Sequence, residues 1–259
     1  MRLSITALSL AVLALATDAF APPVLRHTRT HSTPLSLSTD IPDCGCTTFS
    51  GKPSDKALAI DPRQAVGAKP IFSVNGEQTN VNDLIGTKGT SVVIFLRSLG
   101  WPLCQEVILQ YNKVRDELLA NNVKLLMVSI GKPEIGKELV AHLELTNGDK
   151  FLFVDPENAL YDELDLNRGV KETFFSPSTP LSFLDRFTTK DGMQDLIQVL
   201  SKWNKAIYIP PKQSQAFNQG GTFIFDDAKT VFAHYDESTG AHAKVADVVD
   251  LAVKTAAVA

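Results

Sequence analysis

Three cysteines, three methionines and two tryptophans in 259 residues set the first exclusions. A small disulfide scaffold needs thiols at dense, paired spacing, and Cys44, Cys46 and Cys104 do not supply one. The five histidines, His27, His31, His142, His234 and His242, are scattered, with no H-E-x-x-H or C-x-x-C beside them. Neither a metal set nor a cofactor is therefore predicted. Basic blocks are also missing and the formal net charge is −4, which argues against a phosphate-tracking, nucleic-acid-binding surface. No internal repeat or low-complexity tract interrupts the chain. What remains is 44% hydrophobic and 21% charged, the composition of one substantial globular domain with additions.

The amino terminus stands apart from that domain. Arg2 precedes the apolar run LSITALSLAVLALA and the small residues TDA, the charged, apolar and small-residue order of a secretory signal. The run is short for a membrane span, which takes about 20 apolar residues, so no span is predicted in the mature protein. The following FAPPVLRHTRTHSTPLSLST carries Arg26, Arg29, several Ser and Thr, and no acid before Asp40. A signal leading into Phe20 and an acid-poor segment resembles the bipartite presequence of plastid proteins in algae with complex plastids. Plastid targeting is the expectation, with secretion behind a propeptide as the alternative. Residues 1–39 are read as presequence, 40–69 as a Cys-x-Cys lead-in and 70–259 as the folded domain. A Cys-x-Cys pair is strained if it closes on itself, which leaves Cys44 and Cys46 to bond a distant thiol or none. Without its presequence the chain carries 22 basic and 28 acidic residues, a balance that favours solubility.

From Pro70 onward the pattern alternates. PIFSV and SVVIFLR read as strands, NVNDLIG as a short helix capped by Asn80, and PLCQEVILQYNKVRDELLANN as a long helix. In that helix Val107, Leu109, Val114, Leu118 and Leu119 form the predicted apolar stripe. VKLLMVSIG and KFLFVD follow as strands, separated by a helix over KPEIGKELVAHLELT and followed by one over PENALYDELDL. The runs VVIFL, LLMVSI and FLFV lack alternation, as expected of strands covered on both faces. GGTFIFDDAKTVFAHYD reads as a hairpin turning at residues 226–229, and the carboxyl-terminal stretch as a closing helix. A β-α-β half followed by a β-β-α half predicts an α/β, thioredoxin-like fold with a central mixed sheet flanked by helices. Residues 167–219 are read as a helical insertion ahead of the hairpin.

This order gives Cys104 a context. It falls where the first long strand hands over to the first long helix, at the carboxyl edge of the sheet where open α/β sheets place ligands. A thiol in a first helical turn faces unpaired N–H groups and the positive end of the helix dipole, which favours the nucleophilic thiolate. Cysteine is also a common small buried residue, and that reading stays open beside the reactive one.

The segment FLRSLGWPLCQE resembles the active-site stretch of the peroxiredoxin-like 2 family, the AhpC/TSA-type thioredoxin-fold proteins whose pattern is roughly F-x-R-x-x-G-C-x-x-C-R/K-E. FVDPENALYDELDL, QGGTFIFDD and AHYDESTGAHAKVADVV resemble its later motifs in the same order, so that the likeness spans about Pro70 to Ala256. The resemblance implies a thiol-dependent antioxidant oxidoreductase that reduces hydrogen peroxide or organic and lipid hydroperoxides. Cys104 takes the place of the second family cysteine, where peroxiredoxins carry their peroxide-reducing thiol. Trp101 stands at the position of the first, so a vicinal C-x-x-C disulfide is excluded. A single thiol still forms a sulfenic acid that another thiol reduces. Cys44 or Cys46 are candidate resolving thiols beside external thioredoxin, glutaredoxin or glutathione, and a homodimer is allowed.

Around Cys104 the candidate loop is Gly100, Trp101 and Pro102. Arg97 either orients the thiolate and peroxide or forms an ion pair with Glu106 or Asp155. Trp101 either covers the thiol or fills the space of the missing cysteine. His234 and His242 read as packing or capping residues, and Gly220 and Gly221 as points of close backbone approach. Phe174, Phe175, Phe183 and Phe187 read as core or dimer contacts, with an apolar substrate pocket as the alternative. The competing function is a non-catalytic thioredoxin-fold redox sensor or interaction module.

Overall fold

In a computed structural model, the structure describes residues 47–169, 199 and 212–258. Cys44, Cys46, the presequence and the four phenylalanines named above lie outside the described residues.

Eight strands form one sheet: β1 (Thr48–Gly51), β2 (Ile71–Ser73), β3 (Gln78–Thr79), β4 (Thr90–Leu96), β5 (Lys124–Ser129), β6 (Leu152–Val154), β7 (Gly221–Asp226) and β8 (Lys229–Tyr235). Their order is β1-β8-β7-β4-β5-β6-β2-β3. β4, β5 and β6 run parallel, while β7 is antiparallel to β4 and β8 to β7. The described helices are α1 (Asp55–Leu58), α2 (Pro62–Ala65), α3 (Val81–Ile85), α4 (Pro102–Ala120), α5 (Pro133–His142), α6 (Ala159–Glu163) and α7 (Val245–Val258). The core path β4-α4-β5 followed by β7-β8-α7, with β8-β7-β4-β5 side by side, is the thioredoxin-like fold that the sequence order predicts.

The unalternating apolar runs are buried on both faces. Val92, Ile94 and Leu96 of β4 point into a core with α4, α5 and α7, while Val93 and Phe95 point into a second core that includes residues of α1, α3 and α6. Asn80 caps α3 by accepting from Asn82 N–H, as its side-chain chemistry predicts. The apolar stripe of α4 is reached only in part. Val107 and Leu118 are buried but Leu119 is 50% exposed, and the first two turns are buried all round, Gln105 and Glu106 included. α6 is also shorter than its pattern suggests, because Asn158 and Asp165 adopt left-handed conformations on either side of it.

The segment read as lead-in joins the sheet. β1 pairs in parallel with β8, an addition that four residues of weak pattern could not announce. Arg63 of α2 fastens this region by donating from Nε to the Asp227 carbonyl (3.0 Å), from Nη2 to the Gly86 carbonyl (2.7 Å) and from Nη1 to the Asn82 side chain. The two ends of the 167–219 stretch are tied together, with Gln219 N donating to Asn167 O and Gly169 N to Phe217 O. Val199, the one described residue between them, is helical and buried in the α4/α5/α7 core.

Candidate active site

β4 ends at Leu96, and its end is held from the side. The Tyr161 hydroxyl of α6 reaches the Leu96 carbonyl at 2.5 Å and the Val128 carbonyl of β5 at 3.1 Å. Burial, then the charges of Asp155 and Cys104, push this phenol up, so it remains a donor. Arg97 to Gly100 then turn sharply: Leu99 N donates to Ile130 O, Trp101 N to Ser98 O, and the Gln105 side chain returns to Leu99 O at 2.8 Å. Pro102 at the first helical position lacks an N–H and starts α4 without strain.

Cys104 therefore sits in the first turn of α4, as the sequence predicts. It is a free thiol, and only 1% of it is exposed. Two readings of the sequence thus coincide, since the residue is both buried and at the helix start. Among the described residues Arg97 donates to neutral acceptors. Its Nε and Nη2 donate to the Ala216 carbonyl and its Nη1 to Thr239 Oγ1 at 2.7 Å. Its guanidinium lies 4.5 Å from the centre of the Trp101 ring. Burial lowers the guanidinium value, and the Cys104 charge opposes that. Asp155 instead accepts from Leu160 N at 2.8 Å, at the start of α6, and burial pushes its carboxyl up.

A group of titratable residues lies at the end of β8 and in the loop that leads to α7. Asp236 directly follows β8 and is 1% exposed. His242 Nδ1 lies 2.5 Å from its Oδ2, and His234 Nε2 lies 3.3 Å from its Oδ1. On its other side the His242 ring interacts with the Cys104 thiol, by a side-chain hydrogen bond and by charge. Nε2 of this ring is buried and has no nitrogen or oxygen partner among the described residues. Burial alone would lower the His242 value, but Asp236 and Cys104 outweigh it and the imidazole is pushed up to about 10. Burial likewise opposes ionisation of Asp236, yet His242 and His234 hold its carboxyl below the usual range. His234 is in turn held by Ser50 of β1, whose Oγ is 2.7 Å from Nδ1, while Nε2 is 2.9 Å from the Ala241 carbonyl. Since that carbonyl only accepts, Nε2 carries the proton and Ser50 donates to Nδ1.

Both histidines are largely buried, and both pair with Asp236. The signal available in the sequence was local density: His234, Asp236 and His242 fall within nine residues at the carboxyl end of a strand. Gly220 and Gly221 do mark close approach. A Cβ on Gly220 would lie 2.2 Å from the Phe95 carbonyl oxygen and 2.8 Å from Asp236 Oδ2.

A sequence model described as AhpC/TSA antioxidant enzyme matches residues 109–238, half of the chain. The chain belongs to this AhpC/TSA antioxidant enzyme family. Its class is that of a thiol-dependent antioxidant enzyme, a thiol peroxidase by family. Similar proteins include bovine (Bos taurus) peroxiredoxin-like 2C, 25% identical over 88% of this chain and 90% of the relative. Human (Homo sapiens) peroxiredoxin-like 2C is 27% identical over 78% of this chain and 83% of its own. Solved structures with similarity include Xanthomonas campestris peroxiredoxin Q, 17% identical with a TM-score of 0.47, over 75% of this chain and 93% of that one. Another is peroxidoxin BcpB of Mycobacterium tuberculosis, 13% identical with a TM-score of 0.44, over 73% and 92%. The AhpC/TSA match takes in Asp236 but begins after Cys104, so the case for this thiol rests on its geometry. Among the described residues no helix is long and apolar enough to cross a membrane, and no group of His, Cys, Asp and Glu could hold a metal.

Proposed function

We propose that Cys104 is the peroxide-reducing thiol of this AhpC/TSA protein, working as a single cysteine on hydrogen peroxide or organic hydroperoxides. The observation that carries the reading is the convergence of Arg97, His242 and the start of α4 on one buried sulfur. As a thiolate, Cys104 attacks the outer peroxide oxygen and becomes a sulfenic acid.

Reduction of that sulfenic acid falls to a thiol from outside the chain, a small thiol such as glutathione or a protein thiol of the thioredoxin or glutaredoxin kind. β1 supports this. Thr47 is tied to the Thr230 carbonyl at 2.9 Å, at the end of the sheet away from Cys104. Strand rise and spacing put it about 20 Å from the end of β4. Cys44 lies three residues before Thr47, which is at most about 11 Å of chain. Cys44 and Cys46 themselves lie outside the described residues, and Thr47 is the first described residue after them.

The test is stopped-flow oxidation of the full chain by hydrogen peroxide and by an organic hydroperoxide, with sulfenic-acid trapping. Fast oxidation that disappears in Cys104→Ser is expected. Oxidation no faster than that of free cysteine would refute the reading. Burial of the sulfur favours a second reading, a redox sensor or interaction module whose thiol reacts slowly. That slow result would select it.

A further inference from the structure

We propose that His242, oriented by Asp236, is the acid–base partner of Cys104. His234 and Ser50 act as positioning residues behind the carboxylate. This deepens the reading of Cys104 as the peroxide-reducing thiol and rests on it.

The geometry runs from the edge of the sheet to the His242 ring. Ser50 Oγ is 2.7 Å from His234 Nδ1, His234 Nε2 is 3.3 Å from Asp236 Oδ1, and Asp236 Oδ2 is 2.5 Å from His242 Nδ1. The far side of the His242 ring meets Cys104. A carboxylate 1% exposed is costly unless it is paired, and here both its oxygens face imidazoles. A purely structural pair would have no need to end on a thiol. The backing carboxylate fixes which ring nitrogen faces Asp236 and leaves the other available for proton transfer.

The chemistry balances with the groups in place. His242 takes the thiol proton, leaving thiolate beside imidazolium. The sulfur attacks the outer oxygen of ROOH, an S–O bond forms and the O–O bond breaks. The departing RO⁻ takes the imidazolium proton and leaves as ROH, while the peroxide's own proton stays on the sulfenic oxygen. Sulfur is oxidised by two electrons and the peroxide is reduced by two. An external thiol then forms a mixed disulfide with release of water, and a second thiol frees Cys104, whose proton returns to His242.

Other groups face this pair and shape its pH response. Arg97 from the end of β4 acts on Cys104. Tyr111 of α4, pushed up by burial and then by Asp236, and Tyr161 of α6 stay neutral through the physiological range. His242 is therefore the group whose proton loss on the alkaline side disables the step.

Peroxide oxidation of the full chain from pH 5 to pH 11 tests this in wild type, His242→Gln and Asp236→Asn. Wild type is expected to lose rate as pH rises through about 10. His242→Gln should be slower by about 10²–10⁴-fold at neutral pH, the usual contribution of acid–base catalysis, and should lack that alkaline limb. A variant that keeps the limb, or reacts within about two-fold of wild type, overturns the proposal. Asp236→Asn should lower the His242 midpoint, and an unchanged midpoint refutes the orienting role.

A second measurement needs neither a variant nor turnover. The imidazole of His242 is titrated by NMR in wild type before and after methylthiolation of Cys104. Blocking the sulfur should lower the midpoint, and an unmoved midpoint removes the thiol–imidazole partnership. If the midpoint moves but peroxide fails to oxidise Cys104, the peroxidase reading falls while the pairing stands.

Discussion

Replacing Gly220 with alanine tests whether the site depends on the close backbone approach between β4 and the residue that leads into β7, beside Asp236. An added Cβ would lie 2.2 Å from the Phe95 carbonyl oxygen. Ordinary carbon–oxygen contacts begin at about 3.3 Å, so one backbone must retreat by about 1 Å. The same methyl would lie 2.8 Å from Asp236 Oδ2, and Asp236 N donates to the Gly220 carbonyl at 3.2 Å, so that retreat acts on the carboxylate itself. Overpacking of this kind costs about 1–3 kcal/mol and the strained hydrogen bond about 1 kcal/mol more. The sum, roughly 2–4 kcal/mol, corresponds to a Tm lowered by roughly 5–15 °C for a domain of this size. Thermal unfolding followed by circular dichroism gives the first value, and the rate of Cys104 alkylation shows whether the site moves. Gly76→Ala is the control. Nothing lies within 4 Å of that Cβ, while φ is +90°, so it should lose stability through backbone strain and leave the thiol's reactivity unchanged. If Gly220→Ala unfolds within about 1 °C of wild type, the close approach plays no part in holding the site.

Trp101→Ala removes the ring under the Arg97 guanidinium, and is expected to raise iodoacetamide alkylation of Cys104 by at least about ten-fold through lost cover while costing about 1–2 kcal/mol in urea unfolding. Arg97→Met leaves the Ala216 carbonyl and the Thr239 hydroxyl without this donor, and should lower stability by about 2–4 kcal/mol and slow peroxide oxidation in the same protein. Replacing Cys44 and Cys46 together by serine should leave turnover with an external thiol unchanged, and a Cys104-linked peptide from the oxidised wild-type chain would contradict that. Stability should also fall on both sides of a middle range. The raised His242 value stabilises the fold fully below its unfolded value, about pH 6.5, and is lost as pH rises through about 10. The depressed Asp236 value stabilises above the unfolded carboxylate range and is lost as pH falls through the folded value, while the raised Asp155 works the other way. Urea midpoints at a series of pH values read this out, and in His242→Gln the alkaline decline should flatten.

How much of this was legible depended on whether the information was local. The strands of the centre were readable because a run such as VVIFL, uninterrupted by polar residues, has one economical use, a strand covered on both faces. Cys104 was placed correctly for the same reason: its strand, turn and helix are contiguous, and Pro102 announces the helix start. β1 was not readable, because four residues become a strand only when β8 is there to pair with them. The partners of Arg97 were hidden by distance, since Ala216 and Thr239 lie 119 and 142 residues away in the chain. His242 was hidden by a plausible local role, a polar residue shortly before a helix.

Asp236 shows what such a local role leaves out. An aspartate after an apolar strand reads as the first polar residue of a solvated loop, and only the packed fold reveals that this one is enclosed. Burial changes its meaning, because a carboxylate that must stay charged without water needs cations or strong donors around it. The chain supplies two imidazoles within six residues on either side of it, and one of them reaches the sulfur at the far end of the β4–α4 turn. The position of Cys104 follows from a local pattern, whereas its chemistry depends on a pairing that forms only when the closing hairpin docks beside β4. Disrupting that docking, as at Gly220, should therefore alter thiol reactivity without touching α4.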